Sequence, residues 1–244
     1  MPFTPAHAAI VLPFIKSRYT SATGLIVGSL TPDFEYFLKM SVDSNYSHTF
    51  PGLFYFDLPI AVALAFIFHG VVKKNLISNL PACIQQRLQL LNELNFKSYF
   101  KKNYLIFITS ALLGETSHIL WDGFTHGDGY FVNQLSFYDG TNVFLGGARY
   151  PLWYVLQHVS TFAGLAVVFI YLFMMKRNLS KTSKPSVLYW LVVLIIMIMV
   201  ICIRFSFSAY DVALGNFVIS TISACCLAFV VTGLIPFHTK SFVE

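Results

Sequence analysis

Charged residues are scarce in this chain of 244 residues: Asp, Glu, Lys and Arg make up 11% of it, against about a quarter of a typical soluble protein. Hydrophobic residues make up 56%, and phenylalanine alone occurs 25 times. A soluble protein of this length could not solvate its surface with so few charges. The composition therefore predicts an all-α, polytopic membrane protein.

Several signals of soluble enzymes are also missing. The chain has four cysteines but no CxxC pair, and three of the four lie in apolar runs, which is typical of small buried hydrophobic residues. Neither a glycine-rich phosphate loop nor a Gly-x-Ser-x-Gly motif occurs. The N-terminus lacks a basic stretch followed by a long apolar core, so we expect no cleavable signal peptide. Basic residues outnumber acidic ones by 16 to 11, but they cluster beside apolar runs, so we expect no nucleic-acid partner.

Five apolar runs approach the roughly 20 residues that a helix needs to cross about 30 Å of hydrocarbon. They are Leu53–Val72, Tyr104–Trp121, Leu152–Met175, Val187–Ile203 and Leu214–Ile235. We therefore predict a single membrane domain over residues 1–244. It would comprise an N-terminal interfacial segment, residues 1–52, and a bundle of about five transmembrane helices, residues 53–235.

The N-terminal segment contains two shorter apolar stretches, Ala8–Ile15 and Ser21–Leu30, with Lys16 and Arg18 between them. Each is too short to span the bilayer, so we interpret them as short helices packed on the outer face or dipping into it. The alternative is one crossing helix over Ala8–Leu30.

Basic residues indicate the orientation of the bundle. If the five helices cross the membrane in alternating directions, eleven basic residues fall on one side of it. The positive-inside rule places that side in the cytoplasm. The eleven residues are Lys73, Lys74, Arg87, Lys97, Lys101, Lys102, Lys176, Arg177, Lys181, Lys184 and Lys240.

Ionisable residues cluster at the end of the second run, where Glu115, His118 and Asp122 share one face of a helix and His126 follows. Such groups cost several kcal/mol in a membrane unless they pair, bind a metal or line a wet cavity. Imidazole and carboxylate together suit a divalent cation, Zn²⁺ first, with Mn²⁺ or Fe²⁺ as alternatives. With two carboxylates in the set, one could bridge a pair of cations.

The same outer side would also hold four residues of the N-terminal segment: His7, Asp33, Glu35 and His48. Each residue also has a simpler explanation: Asp33 could belong to a helix-starting turn, and Glu35 could be a first-turn acid stabilised by the helix dipole. Glu115 could ligate a metal, orient a histidine or act as a general base.

Four stretches resemble DUF4184, an uncharacterised family of bacterial integral membrane proteins. They are Met1–Ala8, Gly28–Tyr36, Ser47–Thr49 and Ser117–His126. The resemblance implies the inner membrane of a bacterium, with the lipid bilayer as partner, and it brings no established activity.

A looser similarity links the order His, Pro-Asp, His, His-x3-Asp-x3-His to inner-membrane proteins described as metal-dependent hydrolases. The order is also similar to that of the zinc-dependent phospholipase C and S1/P1 nuclease group, in which such residues hold three zinc ions and cleave phosphodiesters. The similarity implies six metal ligands here: His7, Asp33, His48, His118, Asp122 and His126. Those soluble enzymes also use a processed N-terminal Trp and a final His-x3-Glu; this chain begins Met1-Pro2, and Phe162 stands four residues after His158.

Three functions follow from these residues. The first is a membrane-embedded, metal-dependent hydrolase of phosphoesters, such as lipid headgroups at the outer interface, with Glu35 or Glu115 assisting proton transfer. The second is a transporter or channel for metal ions or protons, which would need a polar path through both leaflets. The third is a scaffold in which the cluster is a structural metal site.

Overall fold

A computed structural model describes residues 3–179, 182–207 and 213–237. Met1 and Pro2 of the first matching stretch, and Lys181 and Lys240 of the basic set, lie outside these residues. Helices make up most of the described chain, and a single β-hairpin interrupts them. The predicted all-α class is therefore confirmed.

The elements follow one another along the chain, with connections of up to 13 residues between them. The helices are α1 (Thr4–Phe14), α2 (Ala22–Gly28), α3 (Phe34–Lys39), α4 (Leu53–Ser78), α5 (Ala82–Glu93), α6 (Phe96–Thr125), α7 (Tyr130–Gln134), α8 (Leu152–Met174), α9 (Val187–Ser206) and α10 (Leu214–Gly233). Strands β1 (Asn142–Leu145) and β2 (Ala148–Pro151) form the hairpin between α7 and α8, antiparallel with Val143 opposite Tyr150.

Four of these helices, α4, α8, α9 and α10, are long and apolar enough to cross a membrane. They correspond to four of the five predicted spans. The remaining run, Tyr104–Trp121, lies in α6, which has 30 residues and a kink at Asn103 but is not among the four. The polar and ionisable side chains of this run lower its mean hydropathy. That α6 crosses the membrane therefore stays a prediction.

The described residues divide into two compact units. The first comprises residues 3–33, 47–61 and 105–171, and the second comprises residues 34–46, 62–104 and 172–237. The prediction of a single membrane domain is not tested by this division.

Close packing of α2 against α6 organises the first unit. A Cβ atom on Gly28 would collide with the backbone carbonyl of Ala111, and one on Gly114 would collide with that of Leu25. The two backbones therefore touch, as they do where small residues line the interface of membrane helices. Ser110 adds a hydrogen bond by accepting from the backbone N–H of Ser21.

The N-terminal segment forms separate short helices, as predicted. Helix α1 ends at Phe14 and α2 begins at Ala22, so the alternative of one continuous helix over Ala8–Leu30 is wrong. Ser21 caps α2 by accepting from the N–H of Gly24, which favours a new helix start at this point. Helix α1 packs against α8, where the backbone N–H of Phe3 donates to Thr161.

In the second unit, α9 packs against α10 around a small core of Tyr189, Val193 and Ala228. The side chain of Asn75, near the end of α4, donates to the backbone carbonyls of Thr232 and Ile235. These bonds satisfy carbonyl groups at the C-terminal end of α10, which the helix itself leaves unpaired.

Candidate metal centre

Three segments of the first unit bring four ionisable side chains together. Asp33 ends a short 3-10 turn that begins at Thr31, His48 lies in the loop before α4, and α6 supplies His118 and Asp122 one helical turn apart. One ligand atom from each of the four lies within 4.8 Å of the others. Asp33 and His118 are fully buried.

Nitrogen and oxygen atoms alternate around this four-residue cluster. The Nε2 atom of His48 lies 3.6 Å from Asp33 Oδ1 and 3.5 Å from Asp122 Oδ2. The Nε2 atom of His118 lies 3.5 Å from Asp33 Oδ1 and 3.3 Å from Asp122 Oδ2. All four separations exceed the roughly 2.7–3.2 Å of an N–H···O hydrogen bond.

The separations match those of atoms that share a tetrahedral cation. Donors bound at about 2.0–2.2 Å from Zn²⁺ lie about 3.3–3.6 Å apart, because a tetrahedron's edge is about 1.63 times its centre-to-corner distance. Octahedral Mg²⁺ would draw neighbouring donors to about 2.8–3.0 Å. Two imidazoles and two carboxylates therefore suit Zn²⁺ by donor type, and the four nitrogen–oxygen separations are compatible with its shell.

A second set of atoms surrounds the other oxygen of Asp122. Asp122 Oδ1 lies 3.4 Å from Nε2 of His7 and 3.5 Å from Nδ1 of His126. The His7 side chain is buried and stacks on His118, with ring centroids 3.7 Å apart. Within the described residues, neither nitrogen of His7 has a hydrogen-bond partner.

Neighbouring polar groups orient the ligands of the four-residue cluster. Thr4 Oγ1 donates to Asp33 Oδ2 at 2.6 Å, which leaves Oδ1 facing the histidines. The backbone carbonyl of Ser29 lies 2.8 Å from Nδ1 of His118, and the Ser47 hydroxyl lies 3.0 Å from Nδ1 of His48. Partners of this kind hold an imidazole in the orientation and tautomer that a metal needs.

The backbone at His48 is also constrained. Its φ is +59°, in the left-handed region that few residues other than glycine adopt. Such a conformation costs about 1–3 kcal/mol and persists where the surrounding structure imposes it, often at functional sites.

Electrostatics set the protonation of the residues outside the helical spans. Burial lowers the pKa of His7 to about 3, and nearby His118 adds to the effect, so the imidazole is neutral near pH 7. Burial opposes the charge of Asp33, but His118 holds the pKa of that carboxyl well below its usual range. Burial also opposes charging of His48, yet the carboxylates of Asp122 and Asp33 raise its pKa. A proton and a cation would therefore compete for His48.

Access to the cluster is limited to one side. The side chains of His7, Asp33 and His118 are 1% exposed or less, whereas those of His48 and His126 are 19% and 21% exposed. The ligand atoms themselves are buried, among them Nε2 of His48 and of His118, so the side of His48 and His126 is where the centre lies nearest to the surface.

Glu35, predicted as a catalytic residue, has another set of contacts. Its carboxylate accepts hydrogen bonds from the Lys39 ammonium and from the backbone N–H groups of Asn45 and Tyr46. These bonds fix the backbone of the loop at Asn45 and Tyr46. The contacts give Glu35 a structural task, and its catalytic role stays a prediction.

Glu115, the other predicted catalytic residue, lies on α6 and is fully buried. Neither carboxylate oxygen finds a hydrogen-bond donor within the described residues, and Asp57 acts on it electrostatically. Glu115 is not part of the four-residue cluster, so its role as a general base also stays a prediction.

Three orienting contacts were not anticipated from the sequence: those of Thr4, Ser29 and Ser47. Ser47 directly precedes His48, and Thr4 lies in the same short stretch as His7. Closeness in sequence to these predicted ligands could therefore have pointed to Ser47 and Thr4. The Ser29 contact uses a backbone carbonyl, which every residue has, so the residue type could not have predicted it.

One comparison with known proteins gives a family. A family model described as "Domain of unknown function (DUF4184)" matches residues 1–234. No curated protein and no solved structure matches the chain. The match covers all six candidate metal ligands and nearly the whole chain, and the chain therefore belongs to the DUF4184 family.

Proposed function

We propose that this protein is a membrane-embedded, metal-dependent hydrolase of phosphoesters. The observation that supports this function best is the position of the Asp122 carboxylate, which offers one oxygen to each of two sets of histidines. A carboxylate shared in this way is suited to bridge two divalent cations, Zn²⁺ in the first instance.

The two sets differ in the number of donors. Asp33, His48, His118 and Asp122 supply four, enough to complete a tetrahedral shell, as in structural zinc sites. His7, His126 and Asp122 supply three, the number that catalytic zinc sites use while leaving one position for water or substrate.

Divalent cations at these sets would supply Lewis-acid polarisation of a phosphoryl oxygen and activation of water. The chain's own contribution is to fix the donors. Thr4 and the Ser29 carbonyl orient Asp33 and His118. His7 stays neutral because it is buried, so its nitrogen lone pair remains available. In this proposal the substrate approaches from the side of His48 and His126, whose side chains are partly exposed.

A lipid headgroup is the phosphoester class that fits a chain with four helices able to cross a membrane. In this proposal the protein resides in a bacterial inner membrane, its basic loops face the cytoplasm, and the cluster faces the outer interface.

Metal content is the first test of this proposal. Protein purified in detergent should contain zinc, manganese or iron by elemental mass spectrometry, and Asp122→Asn and His118→Ala should lose it while remaining folded. The loaded protein should then release phosphate or alcohol from phospholipids or simpler phosphoesters. Wild-type protein that stays metal-free after reconstitution would overturn the proposal.

The four-donor set also supports a second function, a structural metal site in a scaffold protein, because four protein donors close a zinc shell. If the protein is such a scaffold, His118→Ala and His126→Ala should have different effects on stability. The first would destabilise the fold, and the second would change neither stability nor any hydrolytic activity. If His126→Ala abolishes hydrolysis with the fold intact, the scaffold function fails.

A further inference from the structure

A cavity of about 420 Å³ lies beside the metal centre in the first unit. Most of its lining is apolar: Ile10, Leu120, Trp121, Phe124, Leu156 and Val159. Its volume falls within the roughly 300–1,000 Å³ of small-molecule sites. Nothing in the metal chemistry described above uses it.

The three hydroxyl groups in the lining have their protons engaged elsewhere. Thr125 donates to the backbone carbonyl of Trp121, Ser160 to that of Gln157, and Tyr138 to that of Phe124. No hydroxyl proton in this lining is therefore directed towards a ligand. A polar occupant would lose its hydration without compensation, whereas a hydrocarbon would lose nothing.

Trp121 separates the cavity from the metal centre. Its side chain lines the cavity, while its ring packs edge-on against the imidazole of His7, with centroids 5.9 Å apart. The next residue, Asp122, carries the shared carboxylate. A hydrocarbon chain bound in the cavity would therefore be separated from His7 by the indole ring of Trp121.

The cavity opens along apolar surface. Leu120, Phe124 and Val159, all in its lining, are 47%, 38% and 57% exposed. Val159 lies on α8, one of the four helices able to cross a membrane. A hydrocarbon chain could enter sideways from the bilayer while its polar head stayed at the partly exposed edge of the metal centre.

We propose that this cavity binds one hydrocarbon chain of an amphiphilic phosphoester whose phosphate lies at the Asp122 side of Trp121. This inference rests on the proposed hydrolase function for the headgroup, and it restricts the substrate to lipids rather than soluble phosphoesters. Filling the cavity should impair binding of the chain and leave the metal ligands in place.

Photo-crosslinking tests the chain site without requiring turnover. The probe is a phosphatidylcholine with a diazirine near the middle of one acyl chain, reconstituted with the full-length protein in phosphatidylcholine vesicles. Peptide mass spectrometry should find the label around Leu120–Phe124 and Leu156. Leu156→Trp should reduce this labelling on the order of ten-fold, because an overfilled site excludes the chain.

Val167→Trp is the matched control, since Val167 is an exposed residue of α8 that does not line the cavity. It should label as the wild type does, and both variants should retain wild-type metal content. Labelling spread evenly along α8 and unchanged by Leu156→Trp would mean ordinary contact with bilayer lipid, and would overturn the inference.

The same experiment separates this inference from the hydrolase proposal. Specific labelling in a protein that hydrolyses no phosphoester would support the chain site and refute the hydrolase function. Hydrolysis of a short, water-soluble phosphoester without specific labelling would refute the chain site and leave the hydrolase function standing.

Discussion

Replacing Thr4 by Val removes one orienting hydrogen bond while nearly preserving shape. The Thr4 hydroxyl is buried and donates at 2.6 Å to Oδ2 of Asp33, whose Oδ1 faces both histidines of the cluster. Hydrogen bonds to charged groups contribute about 1.5–3 kcal/mol, and loss of a group that orients a metal ligand typically lowers metal affinity about 10–100-fold.

We therefore expect Thr4→Val to bind Zn²⁺ about 10–100-fold more weakly than the wild type. Its metal-free form should be about 1–3 kcal/mol less stable, because a buried carboxylate oxygen loses its donor. Zinc affinity can be measured by competition with a chromophoric chelator, and stability by thermal unfolding in detergent with and without zinc.

Thr116→Val is the control for this substitution. Thr116 is an exposed residue of α6 whose hydroxyl, among the described residues, donates to the backbone carbonyl of Leu112 in the same helix. It should bind zinc as the wild type does. Equal zinc affinities for Thr4→Val and Thr116→Val would show that the Thr4 hydroxyl does not orient a metal ligand.

Three further predictions concern the centre and its supports. If the wild type holds two equivalents of metal, His126→Ala should retain about one and Asp122→Asn should lose both. Elemental analysis of the two variants measures the metal content. Equal loss in both variants would contradict the existence of two separate sets of metal donors. Gly28→Ala should destabilise the protein by about 1–3 kcal/mol in thermal unfolding, because the new Cβ would collide with the Ala111 carbonyl. Gly70 has open space around it, so Gly70→Ala should be neutral or stabilising in the same assay. Glu115→Gln should keep metal content unchanged; retained hydrolysis would exclude Glu115 as general base.

The sequence predicted the helical class and the ligand types from local properties. Scarce charge and long apolar runs imply membrane helices whatever the tertiary packing, and four of the five predicted spans are long and apolar enough to cross. The spacing of His118 and Asp122 placed both on one helical face, since that follows from 3.6 residues per turn. The predicted topology placed Asp33 and His48 on the same side of the membrane as this pair, and the resemblance named them as ligands of one site.

Helix boundaries near the cluster were less predictable. The apolar run of the second predicted span ends at Trp121, but helix α6 continues through Gly123 to Thr125, which keeps His126 within reach of Asp122. A glycine weakens a helix by only about 1 kcal/mol, an amount that packing in the first unit can outweigh.

The sequence by itself determined that this is a helical membrane protein with clustered histidines and carboxylates, because composition and helical periodicity are properties of short stretches of chain. Only the tertiary structure decided that Asp122 offers its two oxygens to different histidines, that Thr4 and a backbone carbonyl orient the ligands, and that Trp121 borders an apolar cavity. These features depend on contacts between residues far apart in the chain, and no local sequence pattern encodes such contacts.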